Sequence, residues 1–205
     1  MFYFLKGVSD LTKIEQENYY VEELEEIREL IHISNYEIAI KRLQNIIIQT
    51  KVEEDYLKYY ITASKLLALC FRKCKKYKKA EDELKRSIIL LKKVFMKNFS
   101  EQYYKEFGVL IVNLGIIYEE LGNNQEALEE YKRAEGIFKK IGDNSNLFKL
   151  YITMHFTLIK ANQLSTAKKF LDIAVDIAKQ NNIVYDEQTL YQCYLEIKEK
   201  ENAKS

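Results

Sequence analysis

The chain has 205 residues, with 32 basic against 31 acidic side chains, and this balance gives no global electrostatic argument for nucleic acid. It contains no proline and only 6 glycines, too few turn-formers for a sheet protein of this size, so helices joined by short polar turns are expected. The three cysteines, Cys70, Cys74 and Cys193, are an odd number without framework spacing, which points to a reducing compartment and packing thiols.

The opening stretch, MFYFLKGVSD, carries one basic residue and a five-residue apolar run. That run is too short for a secretory core or a membrane span, so a soluble cytoplasmic protein is expected. Apolar residues spaced three and four apart then predict nine helices, at about 16–33, 35–50, 54–74, 77–97, 100–121, 124–141, 146–161, 164–180 and 185–201. The first is strongly acidic (EELEEIREL). The second contains an alanine in NYEIAIKRLQNI, Ala39. The third ends in the basic run RKCKKYKK, Arg72 to Lys79, and the fourth carries Ala80. The fifth has a glycine in its interior, Gly115, and the sixth carries Ala127. The seventh holds His155 and the eighth Ala167. The ninth, DEQTLYQCYLEIKEKENAKS, ends in a charged tail.

The four alanines sit in similar surroundings, 41, 47 and 40 residues apart. Four residues after each comes a large side chain: Leu43, Leu84, Tyr131 and Leu171. Seven after come Ile46, Ser87, Ala134 and Ala174. Nine before come Leu30, Phe71, Tyr118 and Leu158, and twelve before come Ile27, Ala68, Gly115 and His155. Self-similarity at this period is the mark of a repeat array in which each unit is a helix pair. Small residues at the alanine and at the Gly115 position let two helix backbones approach closely. The propensity lost at Gly115 is small beside the burial of one large side chain, about 1.5–3 kcal/mol.

The third unit resembles the tetratricopeptide repeat (TPR) family at nearly every signature position: Leu114-Gly115, Tyr118, Ala127, Tyr131 and Ala134. Ile111 takes the family's Trp position and Lys139 its closing Pro position. The second unit matches through Leu67, Ala68, Phe71, Ala80 and Leu84. The fourth matches through Leu158, Ala167, Leu171 and Ala174, with His155 in place of the small residue. The first departs most, with Glu26 and Ile27 where Leu-Gly would stand. The resemblance implies an all-α fold: a right-handed α-solenoid of about four TPR-like helix pairs in a single domain, 1–205. The repeats are expected at about 17–50, 54–97, 100–141 and 146–181, with a capping helix at 185–201. The spacing exceeds the family's usual one of about 34 residues, so longer helices are expected.

In such arrays the first helix of each unit lines the concave face. With Ile111, Leu114, Gly115 and Tyr118 in the core stripe, helical geometry puts Val109, Val112, Asn113, Ile116 and Glu120 on the neighbouring face. The matching positions are Thr62, Lys65, Leu69, Arg72 and Lys73 in the second unit, and Lys149, Ile152, Thr153, Phe156 and Lys160 in the fourth. The expected site is an apolar floor with basic edges: Lys65, Leu69, Arg72, Val112, Asn113, Ile116, Lys149, Ile152 and Phe156. Such a groove suits a protein or peptide segment, one with an acidic residue or a free carboxylate. An amide at Asn113 can both donate to and accept from a peptide backbone. Many peptide-binding members of the family place Asn in this position. Lys65, Asn113 and Lys149 match three of the five positions of a carboxylate clamp, while Leu69 and Thr153 depart from it. A structural bond from Asn113 to a neighbouring unit is the other reading.

The charge is uneven. Residues 1–55 carry 6 basic and 12 acidic groups, residues 56–105 carry 14 and 4, and residues 106–205 carry 12 and 15. The Arg72–Lys79 run reads as a solvated edge whose lysines suit a helix C-terminus. An acidic partner or a phosphate track would also fit it, and the acidic first block could pair with it in a homodimer. No cofactor, metal or catalytic site is expected. His32 and His155 are far apart, Cys70 and Cys74 lack a second ligand pair, and LGNN lacks the features of a phosphate loop. The leading expectation is a peptide-binding scaffold or adaptor and not an enzyme. The alternative is the peptide-sensing half of a bacterial cytoplasmic quorum-sensing regulator without its helix-turn-helix. Long repeats with connections such as FKKIGDN resemble those sensors, and only about 15 residues precede the first repeat here.

Overall fold

In the computed structural model, residues 8, 11–50, 54–95 and 100–202 are described. Among them are nine α-helices: α1 (Lys13–His32), α2 (Tyr36–Thr50), α3 (Leu57–Lys73), α4 (Tyr77–Phe95), α5 (Glu101–Glu120), α6 (Asn124–Ile141), α7 (Asn144–Lys160), α8 (Leu164–Gln180) and α9 (Glu187–Asn202). A 3-10 turn, Glu54–Tyr56, leads into α3. The fold is all-α, as the periodicity predicts.

Helix bounds differ from the expected ones by up to three residues, and two of the differences have a plain local cause. Helix α1 starts at Lys13 because Thr12 and Glu15 form a capping box: the Glu15 N–H donates to Thr12 Oγ1 (3.4 Å) and the Thr12 N–H to Glu15 Oε2 (2.7 Å). Helix α7 starts at Asn144 because the Asp143 carboxylate caps it, accepting from the Asn146 N–H at 3.0 Å.

One turn geometry closes the helix pairs. Ser34, Lys75, Gly122 and Asn162 each take positive φ, between 53° and 81° with Asn182 included. After each, the next N–H reaches back to a carbonyl of the preceding helix. Asn35 bonds to Leu30 at 2.7 Å, Lys76 to Phe71 at 2.8 Å, Asn123 to Tyr118 at 2.8 Å and Gln163 to Leu158 at 2.9 Å. This six-to-one bond is the Schellman closure. Its acceptors are the residues nine before each repeat alanine. The sequence spacing therefore marks a backbone bond as well as a packing position.

The chain divides into two compact units, Met1–Ile89 and Leu90–Ser205. The first holds α1 to α3 and most of α4. Its core gathers Leu24 and Ile27 of α1, Ala39, Leu43 and Ile46 of α2, and Tyr59, Ala63 and Leu67 of α3. A tyrosine cluster joins α1 to α3, with Tyr20 ring centroids 5.4 Å from Tyr56 and 5.2 Å from Tyr59. Arg42 clamps α2 to α1 with paired 2.6 Å bonds to Glu23.

In the second unit α5 packs on α6, α6 on α7, α7 on α8 and α8 on α9. Such neighbour-to-neighbour packing is what a repeat array requires. Gly115 lies where expected. A Cβ there would meet the Tyr131 ring at 2.5 Å and the Ala127 carbonyl at 3.2 Å. Gly108, seven residues earlier on the same face, has the same role against Phe138, at 2.6 Å. Helix α9 covers the end of the unit with Leu190, Cys193 and Ile197 against Leu158, Ala167 and Leu171.

Candidate functional site

Helices α5 and α7 position the second-unit residues of the expected site. On α5 the apolar positions divide cleanly: Phe107, Leu110, Ile111, Leu114 and Ile117 are buried, while Val109, Val112, Asn113 and Ile116 are half-buried on the other face. On α7, Leu147, Leu150, Tyr151, Met154 and Leu158 are buried. Ile152 and Thr153 are half-buried, Lys149 is exposed, and the Phe156 ring stays 39% exposed. Ile152 and Phe156 lie four residues apart on one face of α7, Ile152 also packing against the core cluster beneath α8 and α9, and Val112 and Ile116 lie four apart on one face of α5. Lys65, Leu69 and Arg72, the expected site residues that fall in the compact unit Met1–Ile89, are half-buried along one face of α3. Lys65 and Arg72 are each already engaged in an interaction.

A residue that periodicity did not single out organises the α5–α7 wall. Glu119, its side chain only 11% exposed, accepts from Thr157 Oγ1 at 2.7 Å, from the Tyr131 hydroxyl at 3.2 Å and from the Lys160 ammonium. One carboxylate of α5 thereby ties α6 and α7 to it, and Lys160, expected at the basic edge, is drawn onto that carboxylate. Glu135 has a similar role between α6 and α7, accepting from the Tyr151 hydroxyl at 2.6 Å and from Lys139 at 2.7 Å. Its own burial opposes ionisation, yet these bonds outweigh it and hold the carboxyl below its ordinary value. The signal in sequence was a Glu beside a repeat aromatic or alanine, too common to single out. Thr153 Oγ1 donates to its own helix, to Lys149 O at 2.9 Å.

His155 shows how the fourth unit differs. It is fully buried, and its Nδ1–H donates to the Ala167 carbonyl at 3.0 Å. Ala127 offers the equivalent carbonyl beneath Gly115. Where the third unit fills the crossing with Tyr131 over a glycine, the fourth fills it with an imidazole beside the smaller Leu171. The Nε2 atom is buried without a partner, so the ring is held neutral, and burial pushes its pKa down.

The cysteines are free thiols, and burial, with Cys74 adding to it, pushes Cys70 up to about 11. Among the described residues no group of three or more His, Cys, Asp or Glu side chains is placed to hold a metal ion, and no helix is long and apolar enough to cross a membrane.

No family model matches the chain, and no curated protein matches it in sequence. Its structure is similar to the apo form of RapI, at 16% identity over 84% of this chain and 59% of that one, with a TM-score of 0.69. It is similar to aspartyl phosphate phosphatase F from Bacillus subtilis, at 14% identity over 85% of this chain and 43% of that one, with a TM-score of 0.70. It is also similar to nearly identical TPR-like repeats of a kinesin light chain from Podosopora anserina, at 13% identity over 90% of this chain and 95% of that one, with a TM-score of 0.58. The chain thus spans 59% and 43% of the first two proteins. At these identities the likeness establishes the fold, an all-α solenoid of TPR type.

Proposed function

We propose that the chain is a peptide-binding repeat protein whose ligand lies against the α5–α7 face. The observation that supports this most is that α5 and α7 each leave apolar side chains accessible, Val112 and Ile116 on one and Ile152 and Phe156 on the other, with the amide of Asn113 on α5 and the charge of Lys149 on α7 among them. A peptide pressed on those side chains buries its own backbone amides, and an unpaired buried polar group costs about 1–3 kcal/mol. Asn113 offers a donor and an acceptor together. Side-chain bonds from α5 to its surroundings include those of Glu119 and Lys105, and this reading gives the Asn113 amide to a ligand. Lys149 favours a peptide with a nearby carboxylate. Lys65, Leu69 and Arg72 give the first unit a surface of the same kind on α3, and we assign them the same role toward a partner segment.

The test is selection of binders from a random peptide library, followed by calorimetric titration of the selected peptides. Asn113→Ala is expected to weaken them by about tenfold or more and to leave the melting temperature nearly unchanged. Lys149→Ala is expected to matter at low salt and little at high salt. Full affinity in both Asn113→Ala and Phe156→Asp would overturn the assignment.

A second reading, a sensor that passes peptide binding on to a regulatory partner, draws support from the fold it shares with RapI and phosphatase F, of which this chain spans only part. Hydrogen exchange separates the two. A scaffold gains protection only at the helices that touch the peptide, whereas a sensor also changes at helices that do not touch it.

A further inference from the structure

The first unit contains an open groove of about 980 Å³ between α2 and α4, floored by α3. That is at the upper end of the usual range for ligand pockets, about 300–1,000 Å³. Leu67 and Phe71 form the floor, and Ile40, Ile47 and Ile48 line the α2 side. Ile48 is 72% exposed. Leu67 and Phe71 lie roughly half a turn around α3 from Lys65 and Leu69, so this groove is separate from the residues proposed above for a peptide. Its charges are largely matched internally. Glu37 pairs with Lys41 at 3.5 Å, Glu83 with Arg86 at 3.1 Å, and Asp82 lies 4.0 Å from Lys78. Lys76 and Lys79 enter no ion pair among the described residues. The groove is therefore apolar at the Ile47–Ile48 end and carries unmatched positive charge where α4 begins.

The complementary surface is on α1 of the same unit. Its solvent face carries Ile14 (74% exposed) and Val21 (50% exposed), then Glu22, Glu25 and Glu29. Glu25 is matched by Arg28 within the helix, whereas Glu22 and Glu29 enter no ion pair among the described residues. They recur at seven residues, on one stripe of the helix.

We propose that the groove receives α1 of a second copy of the chain. Ile14 and Val21 seat at Ile47 and Ile48 on the α2 wall, and Glu22 and Glu29, roughly 80° further round the incoming helix, meet Lys76 and Lys79 on the α4 wall, so that helix runs antiparallel to α2. Each copy offers one α1 and one groove, and a reciprocal exchange closes as a two-fold dimer. This contact buries apolar surface and matches charge, the features of helix-in-groove recognition.

The experiment is sedimentation of the full chain with two charge reversals. Wild type is expected to self-associate at low salt and to dissociate by at least about tenfold as salt rises from about 0.05 M to 0.5 M. Lys76→Glu with Lys79→Glu, and separately Glu22→Lys with Glu29→Lys, are each expected to be monomeric, with unchanged circular dichroism and a melting temperature that no longer depends on protein concentration. An equimolar mixture of the two is expected to associate again, because each reversed surface then finds its complement. A wild type that stays monomeric at low salt overturns the proposal. So does association that survives both reversals, as does a mixture that fails to associate. Peptide affinity at the α5–α7 face is measured independently, so failure of either reading leaves the other standing.

Discussion

A glycine inside a helix forfeits about 0.5–1 kcal/mol relative to alanine, and two glycines of this chain put opposite signs on the repair. Gly136, exposed on α6, has nothing within 4 Å of where a Cβ would sit. Gly136→Ala is therefore expected to stabilise by about 0.5–1 kcal/mol. Gly115 faces the Tyr131 ring at 2.5 Å, and Tyr131 is fully buried and has no free direction in which to move. Gly115→Ala is expected to destabilise by about 1–3 kcal/mol through overpacking, although alanine is the better helix former. Urea melts of the two single variants read both signs. A stabilising Gly115→Ala would mean that the crossing is looser than its geometry, and would remove the reason for that residue. The need for a small residue at 115 was legible in sequence, because the alanine twelve residues on recurs in three other units. The same need at Gly108 was not, since no counterpart repeats.

The turns between helices were legible as places but not as geometry. GNN announced the α5–α6 turn, whereas the residues in the left-handed conformation at the other turns, Ser34, Lys75 and Asn162, carry no common chemistry. What they share is a position relative to the repeat alanine, and the closing bond there involves only backbone, which any residue supplies. For a residue with a Cβ that conformation costs about 1–2 kcal/mol. Lys75→Gly, at φ 56°, is expected to raise stability by up to about 1 kcal/mol, and Gly122→Ala, at φ 81°, to lower it by a similar amount. Thermal melts of both variants check the pair. Helix starts were harder to read than helix ends. The Thr12–Glu15 box and the Asp143 cap lie outside the apolar pattern, and each moves a boundary by two or three residues.

For the chain as a whole, what a single sequence hides is the pairing of polar groups across helices. Asn113 could be singled out because it interrupts an apolar stripe. Glu119 could not, because its partners Tyr131, Thr157 and Lys160 lie on other helices up to 41 residues away. Such pairings set how the molecule responds to acid. The Lys85 and Lys78 ammonium groups hold the Glu81 carboxyl below its ordinary 4.5. Burial opposes ionisation of Asp143, but the Asn146 N–H and Lys105 outweigh it and hold that group below 3.8. Each depressed carboxyl contributes stability that is present above its unfolded value and is lost as pH falls through its folded one. His155 acts earlier. Its unfolded ring takes a proton near 6.5, whereas the buried ring resists because Nε2 has no acceptor. Below 6.5 the unfolded state therefore binds more protons, and stability declines until the folded ring also charges. Two stages are expected in urea melts taken from neutral pH downward: a shallow decline starting near 6.5, and a steeper one below about 4.5. His155→Asn keeps a donor for the Ala167 carbonyl and removes the titration. It should flatten the first stage and leave the second unchanged. An unaltered first stage in that variant would assign the decline to another group and would mean that the buried imidazole is charged in the folded chain.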